Sequence, residues 1–233
     1  MFYDLHMHSC LSPCAEDEMT PNNICNMALI KGLEVIAVTD HNSFRQLPAV
    51  DEAAKKAGIR LIYGAELESS EEVHMLSFFP TLEHTIAFQK WVDDRMPVIR
   101  NREDFFGHEW ILNGDDEYTE TEERLLLVSL DASLAECADA VHEYGGKCVL
   151  AHVLDRKNSV TQQLGFIPPD LAYDGLEIKS PDQKERVLKM HPWIKEDSVI
   201  WLCDSDAHRL IDISEAVNEL PGQVLSVLAG REL

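Results

Sequence analysis

Short clusters of histidine and acidic residues follow successive apolar runs of this chain, and this repeated order constrains the fold more than any other feature. The clusters are, in order, His6-Met7-His8, Thr39-Asp40-His41, Gly64-Ala65-Glu66, Ala151-His152 and Asp204-Ser205-Asp206-Ala207-His208. Alternate residues of a strand point to the same side, so His6 and His8 can bind one ion together. Asp206 and His208 have the same spacing. The sequence therefore predicts metal ligands at the points where buried strands end.

Helical patterns separate the apolar runs, which is typical of strand–helix–strand units. Thr20 followed by Pro21 is a helix-start signal. Further helices are predicted over residues 47–57, 82–94, 134–144 and 182–190, and strands over 34–39, 59–63, 73–79, 147–151, 175–178 and 199–203. About seven strands separated by helices indicate a parallel sheet, and ligands after many different strands favour a closed barrel. An open doubly wound sheet is the alternative, although it gathers ligands mainly at one switch point.

The length and the charge of the chain limit its organisation and its partners. A chain of 233 residues fits one α/β domain over residues 1–233. It has 20 Lys and Arg residues and 42 Asp and Glu residues, which gives a formal net charge of -22. This charge repels polyanions, so neither nucleic acid nor a membrane surface is expected as a partner. Bound cations reverse the field locally, which leaves room for a small phosphorylated substrate.

The cysteines and the absence of a long apolar run indicate the cellular compartment in which the protein is expected. Six cysteines are scattered along the chain without a dense framework, as is typical of reduced thiols. No basic and apolar leader is evident at the N-terminus, and no run approaches the roughly 18 apolar residues of a membrane span. We therefore expect a soluble, cytoplasmic protein.

One segment, residues 97–124, interrupts the alternation of helices and strands. It contains Phe105-Phe106-Gly107 and Trp110-Ile111-Leu112, then the turn signal Asn113-Gly114, then an acidic stretch. These features predict an inserted hairpin or lid. A solvated surface excursion and a substrate-covering role both remain open at this stage.

The ordered set of candidate ligands resembles the polymerase and histidinol phosphatase (PHP) family of metal-dependent phosphoesterases. The set comprises His6-x-His8, Thr39-Asp40-His41, Glu66, His74, His152 and Asp206-x-His208. The match spans nearly the whole chain, and each member follows its own apolar run. The resemblance implies a distorted (β/α)7 barrel with two or three divalent ions at the carboxyl-end rim of its strands.

The same resemblance implies how the ligands are shared among the ions. His6, His8, Glu66 and Asp206 would bind one ion and form the catalytic group. Glu66 would bridge to a second ion, which His74 and His152 complete. The third ion would take His41 and His208 with an acid from the loop 11–19, for which we expect Asp17. Glu16 is the alternative, because this loop departs from the family's common form. Imidazole and carboxylate ligands suit Zn, Fe or Mn.

Several residues beside the clusters have open roles. Asp40 would accept a ring N–H from a ligand histidine or cap its strand. Arg156, Lys157 and Lys179 would hold a substrate phosphate or lie in solvent. The histidines outside the ordered set are predicted to be surface residues; they are His84, His108, His142 and His191.

The function that the resemblance implies is hydrolysis of a phosphomonoester of a small metabolite or nucleotide by metal-activated water. A PHP-type exonuclease is one alternative, although the net charge of -22 opposes DNA. A catalytically silent metal-binding regulatory module is another, and it requires at least one incomplete ion site.

Overall fold

The computed structural model describes residues 1–154 and 156–233 of the chain. The strands are β1 (Tyr3–Asp4), β2 (Val35–Ile36), β3 (Arg60–Leu61), β4 (Tyr63–Glu68), β5 (His74–Phe79), β6 (Trp110–Leu112), β7 (Tyr118–Thr121), β8 (Lys147–Leu150), β9 (Gly175–Glu177) and β10 (Ile200–Leu202). The helices are α1 (Pro21–Ile30), α2 (Leu47–Ala57), α3 (Leu82–Asp93), α4 (Glu103–Phe106), α5 (Leu134–Glu143), α6 (Val160–Gln163), α7 (Gln183–Met190) and α8 (Gly222–Ala229). Short 3₁₀ helices cover Glu196–Ser198 and Leu210–Asp212. The α/β class is as predicted, and each strand predicted from the sequence overlaps a shorter observed one.

The strands form two main sheets, and among the described residues these do not close into the expected (β/α)7 barrel. One sheet has the parallel order β1-β2-β3, and the other has the order β10-β9-β8-β5-β4. In the larger sheet β8, β9 and β10 are parallel, whereas β5 runs antiparallel to both β4 and β8. The antiparallel direction of β5 has a local cause, because β4 and β5 are joined by a short loop without a crossover helix. Such a connection makes neighbouring strands antiparallel.

Isolated bridges bring the carboxyl ends of the two sheets together. Met7, beyond β1, pairs in parallel with Ala207, and His41, beyond β2, pairs in parallel with Glu66 of β4. The His8 N–H donates to the Ala207 carbonyl at 2.9 Å. The ends of β1, β2, β4 and β10 therefore meet in one region, which is what the predicted site requires.

Apolar side chains from both sheets fill the space between them. Tyr3 and Val35 from the smaller sheet pack in one buried cluster with Leu76, Val149 and Leu202 from the larger one. A second cluster packs Phe44 against Phe79 and Phe88 under α3. The two sheets thus share a core although their edges do not form a continuous barrel.

The helix signals of the sequence are confirmed at several ends. The Thr20 side chain accepts a hydrogen bond from the Asn23 N–H, with Pro21 at the first position of α1. Helix α2 has the predicted bounds and ends at Gly58, whose φ of 73° lies in the left-handed region that favours glycine. No helix in the described residues combines the length and the apolar character that crossing a bilayer requires.

The interrupting segment contains an antiparallel hairpin, β6–β7, preceded by the short helix α4. The hairpin is fastened to the first two helices: the Asn22 side chain donates to Asp116 at 2.8 Å, and Gln46 exchanges hydrogen bonds with the backbone of Leu112 at 3.1 Å. The hairpin residues do not line the cavity beside the ligand cluster described below, so a substrate-covering role remains a prediction.

Candidate metal centre

Glu66 of β4 lies at the centre of the predicted ligand set. Its side chain is 1% exposed. Its carboxylate oxygens lie close to five imidazole nitrogens, at 2.9 Å from His74 Nδ1, 3.2 Å from His41 Nδ1, 3.2 Å from His152 Nε2, 3.3 Å from His6 Nε2 and 3.4 Å from His8 Nε2. Among the described residues, Glu66 alone touches histidines expected at all three ions.

Asp206 closes the opposite side of the cluster. Its Oδ1 lies 3.3 Å from His8 Nε2, 3.5 Å from His6 Nε2 and 3.7 Å from His208 Nδ1. The ligand atoms form three groups whose members all lie within 4.8 Å of one another, namely His6 with His8 and Asp206, His8 with His41 and His208, and His41 with Glu66 and His74. Eight of the nine predicted metal ligands are therefore brought together by the fold.

The donor atoms fit divalent ions. His6 Nε2, His8 Nε2 and His41 Nδ1 are buried and make no hydrogen bond. Buried polar atoms without a partner are uncommon and costly. A set of imidazoles with two carboxylates is the donor chemistry that Zn, Fe and Mn take in proteins.

The outward nitrogens of several rings are held by hydrogen bonds. His6 Nδ1 lies 2.9 Å from Glu177 Oε1, His74 Nε2 lies 3.2 Å from Glu68 Oε2, and His8 Nδ1 lies 3.3 Å from Ser12 Oγ. Such bonds fix which ring nitrogen carries the proton and leave the other one facing the ion. Glu177, Glu68 and Ser12 are not among the site residues predicted from the sequence. Glu177 carried a usable signal, because it is an acid near the end of an apolar strand.

Asp40 does not bond a histidine ring directly, and it does more than cap its strand. It accepts hydrogen bonds from the Ser9 N–H at 2.7 Å, the Ser9 hydroxyl at 2.6 Å and the Ser12 hydroxyl at 2.7 Å. Because Ser12 also contacts His8, Asp40 reaches the cluster through a serine. Burial raises the pKa of Asp40, although the Ser9 bond and the charge of His8 oppose this shift.

Two of the histidines are held in the neutral form. Burial, reinforced by the nearby charge of His8, lowers the pKa of His41 well below its ordinary value. Burial and the charge of His8 also lower the pKa of His208, to about 4. Neutral imidazole is the form that binds a metal, so these two rings need not lose a proton near pH 7.

Two other histidines are held in the charged form when no ion is present. Burial would lower the pKa of His6, but the carboxylates of Glu177, Glu66 and Asp206 raise it well above its ordinary value. For His74 burial is again opposed, and Glu66 raises the pKa to about 9. Binding of ions must displace these protons.

The expected third-site ligand is not brought to the cluster. Asp17 is exposed and belongs to none of the three groups. Glu16 is also exposed, and its backbone N–H donates to the His208 carbonyl at 2.9 Å. The expected role of Asp17 stays a prediction. Outside the site, the expectation that His191 lies on the surface is wrong, since it is 1% exposed and its Nδ1 lies 3.0 Å from the Val187 carbonyl.

Strained backbone is concentrated at the cluster. Asn42, His152 and Asp206 have positive φ values of 48°, 28° and 56°. Residues with a side chain rarely adopt this conformation, and its cost is tolerated where the surroundings hold it. The strain turns His152 and Asp206 out of the strand direction at the points where their side chains meet Glu66 and His8.

Two cavities adjoin the cluster and meet at its edge. A cavity of about 260 Å³ is lined by ligand histidines together with Arg156, Lys157 and Asn158. A neighbouring cavity of about 550 Å³ contains Lys179 in its lining. Both are lined by His152, Arg156 and Asp206. Arg156, Lys157 and Lys179, for which the sequence left a phosphate-binding role open, thus lie beside the candidate site.

A buried set of imidazoles around a central carboxylate, placed at strand ends of an α/β fold, defines a metal-dependent hydrolase. A profile of the PHP domain matches residues 4–163, and the chain belongs to this family. The resemblance inferred from the order of the ligands is thereby confirmed. The enzyme is of the metal-dependent phosphoesterase class.

Comparison with individual proteins gives relatives of differing activity. A 5'-3' exoribonuclease of Haemophilus influenzae is 34% identical over 70 residues, which cover 30% of this chain and 24% of that protein. The crystal structure of a proposed metal-dependent phosphoesterase from Bifidobacterium adolescentis matches with a TM-score of 0.65 and 20% identity, over 99% of this chain and 96% of that one. A lesion-specific endonuclease of Pyrococcus furiosus matches with a TM-score of 0.61 and 21% identity, over 90% of this chain and 48% of that one. The structural matches establish a shared fold.

Proposed function

We propose that the protein hydrolyses a phosphomonoester of a small metabolite or nucleotide, with two or three divalent ions of Zn, Fe or Mn. The observation that carries the proposal is the position of Glu66, whose carboxylate lies within 3.4 Å of five imidazole nitrogens. A carboxylate so placed can bridge ions. Bound ions would supply a water of lowered pKa and would neutralise the phosphoryl oxygens.

The residues of this chain have distinct parts in the proposed reaction. His6, His8, Glu66 and Asp206 form the catalytic group that would hold the ion nearest the reacting water. His74 and His152 would complete a second ion, and His41 and His208 a third. Arg156 and Lys157 would orient the phosphoryl group, because both line the cavity over the cluster.

The size and charge of the site favour a small ester. The two adjoining cavities, of about 260 and 550 Å³, fit a phosphoryl group and a compact leaving group. The formal charge of -22 would repel a long polyanion over a much wider surface than the ions neutralise. The cytoplasmic location expected from reduced thiols stays a prediction; all six cysteines are free in the structure.

A nucleic-acid substrate is the second candidate, and the relatives favour it. One relative is a 5'-3' exoribonuclease. In addition, the structure of an endonuclease Q bound to a 27-mer duplex, with an abasic lesion at its active site, matches over 89% of this chain and 49% of that one with a TM-score of 0.61. The expectation that nucleic acid is an unlikely partner is therefore not supported by the related proteins. A catalytically silent regulatory module remains the third reading.

A substrate panel separates these candidates. The ion-free protein is loaded with Mn or with Zn and assayed on aryl phosphates, histidinol phosphate, nucleoside monophosphates, 3',5'-bisphosphonucleotides and RNA and DNA oligonucleotides. The proposal predicts chelator-sensitive turnover of a small ester that exceeds oligonucleotide cleavage, with Glu66→Gln as the inactive control. Faster cleavage of oligonucleotides would favour the nuclease. Ion-loaded protein that leaves the whole panel untouched would favour the silent module.

A further inference from the structure

Glu177, at the end of β9, contacts two of the expected metal ligands with its two carboxylate oxygens. Oε1 lies 2.9 Å from His6 Nδ1, and Oε2, which is 3.1 Å from the same nitrogen, accepts a hydrogen bond from the backbone N–H of His152 at 2.6 Å. The side chain is buried, with 2% exposed. The Glu177 carbonyl also accepts from the Val153 N–H at 2.9 Å, so the segment after β8 is fastened to β9 on both sides of His152.

We propose that Glu177 is a positioning residue that orients the His6 ring and places His152 at the same time, and so links the ligand geometry of two ions. The inference rests on the proposed metal-dependent function, in which His6 and His152 serve different ions.

For His6 the contact selects a ring nitrogen. A carboxylate only accepts hydrogen bonds, so Nδ1 must carry the proton that it donates to Glu177. In the neutral ring Nε2 then has a free lone pair, and this is the atom that faces Glu66 at 3.3 Å and Asp206 at 3.5 Å. Glu177 thus keeps the lone pair of His6 directed at the ion position.

For His152 the contact with Glu177 is made by the backbone N–H, because the ring lacks the kind of hydrogen bond that holds the rings of His6 and His74. Its Nδ1 is buried and makes no hydrogen bond, unlike the outward nitrogens of His6 and His74. Its backbone is also strained, with φ at 28°. The ring is therefore held through its backbone, and the bond to Glu177 opposes relaxation of the strained peptide.

An amide at this position serves the two contacts less well than a carboxylate, because only one of its two terminal atoms accepts hydrogen bonds. If the Gln oxygen takes the place of Oε2 and accepts from the His152 N–H, its NH₂ group takes the place of Oε1, the oxygen closer to His6 Nδ1. The NH₂ group then competes with the Nδ1–H of His6 and favours the ring form with the proton on Nε2, the nitrogen that would bind an ion. If the Gln oxygen faces His6 instead, its NH₂ group opposes the His152 N–H. In either orientation the NH₂ group faces one of the two ligands, His6 or His152, and the other ligand loses the carboxylate charge beside it.

The chain offers two matched controls. Glu68 bonds the ring of His74 alone among the ligands, with a second bond from Ser129. Asp174, like Glu177, bonds a histidine ring and a backbone N–H, those of His142 at 2.8 Å and Cys148 at 3.0 Å, which are outside the cluster; its other oxygen pairs with Lys147 at 2.9 Å. The test compares Glu177→Gln with Glu68→Gln and Asp174→Asn.

The measurements are ion dissociation constants from chelator competition with Co²⁺ and Zn²⁺, the visible spectrum of the Co²⁺-loaded protein, and the melting temperature of the ion-free protein. We expect Glu177→Gln to weaken two ions by about 10- to 100-fold and to alter the Co²⁺ spectrum, while the ion-free protein keeps its fold. Glu68→Gln should weaken one ion, and Asp174→Asn should leave the affinities of the ions held by the cluster unchanged.

Wild-type ion affinities in Glu177→Gln would overturn the proposal, as would equal losses in Asp174→Asn. If Glu177→Gln does not fold, Glu177→Asp decides, because its side chain is one methylene shorter, which withdraws the carboxylate from both contacts and should still weaken ion binding. The proposed function fails separately, when ion-loaded wild-type protein hydrolyses no phosphate ester. In that case the ion affinities alone still decide the role of Glu177.

Discussion

Arg156 Nη2 lies 3.3 Å from Asp206 Oδ2, while the other oxygen of the same carboxylate, Oδ1, faces His6 and His8. Asp206 thus joins the ligand cluster to a guanidinium that lines both adjoining cavities. A guanidinium presents several N–H groups in one plane, which suits the oxygens of a phosphoryl group. The pair therefore places a candidate substrate contact beside the proposed catalytic ion.

Replacing Arg156 should weaken substrate binding without removing ions. A charge-assisted hydrogen bond contributes about 1.5 to 3 kcal/mol, so Arg156→Ala should raise KM for a small phosphate ester by about 10- to 100-fold. Steady-state kinetics and elemental analysis measure the two effects. Arg102→Ala is a suitable control, because Arg102 is exposed and pairs with Asp104 in the interrupting segment. Loss of an ion in Arg156→Ala would contradict this role.

Removing the central carboxylate should cost more ions than removing one ring. Because Glu66 touches histidines assigned to different ions, Glu66→Gln should weaken two ions, whereas His41→Ala should chiefly weaken one. Elemental analysis after equilibration with Mn, Fe or Zn gives the stoichiometry, and circular dichroism verifies the fold. Equal losses in the two folded variants would rule out a bridging Glu66.

The ligand set was predictable because its signal is local. An acid or histidine directly after a buried strand lies at the strand's end whatever the global topology, so His6, His41 and Asp206 were assigned correctly to one region. The antiparallel direction of β5 was not predictable in this way. It depends on whether β5 is reached through a helix or a short loop, and the sequence around residues 69–73 carries no strong turn signal.

Residues that act through other residues were harder to find. Glu177 is a single acid without a neighbouring histidine, and its importance arises from contacts with residues 171 and 25 positions away in the chain. Asp17 shows the opposite case. The resemblance favoured an acid in its loop, but the loop conformation leaves this side chain exposed, and spacing alone does not determine that conformation.

Asn42 should be important for stability near the cluster. This buried side chain donates to the carbonyls of Leu126 and Val128 at 3.0 and 2.8 Å and accepts from the Glu68 N–H at 3.1 Å, and its φ is 48°. Asn42→Ala should lower the free energy of unfolding by about 2 to 4 kcal/mol, measured by denaturant titration. Asn42→Gly removes the backbone strain but also lacks the side-chain hydrogen bonds. A loss of stability of similar size in this variant would therefore show that the hydrogen bonds of the side chain cause the effect.

Glu109 should give the protein a pH-dependent stability that is independent of the ions. It is 0% exposed, its Oε1 accepts from the Leu126 N–H at 2.9 Å, and its Oε2 has no hydrogen-bond partner. Burial raises the pKa of Glu109 from 4.5 to about 8; the Leu126 bond opposes this shift, and the charges of Glu122 and Glu103 add to it. The folded protein therefore keeps a proton that the unfolded chain releases.

The stability that Glu109 contributes is fully present below its unfolded pKa of 4.5, and it is lost as the pH rises through the folded value of about 8. Glu109→Gln has no such proton but keeps an acceptor for Leu126. Its stability relative to the wild type should therefore rise across this window, by at most about 1.4 kcal/mol for each unit of pKa shift. Denaturant titrations of the ion-free proteins at pH 5, 6.5 and 8 measure the difference. The cluster histidines titrate in both proteins and cancel, so a difference that stays constant with pH would mean that Glu109 is ionised in the folded state.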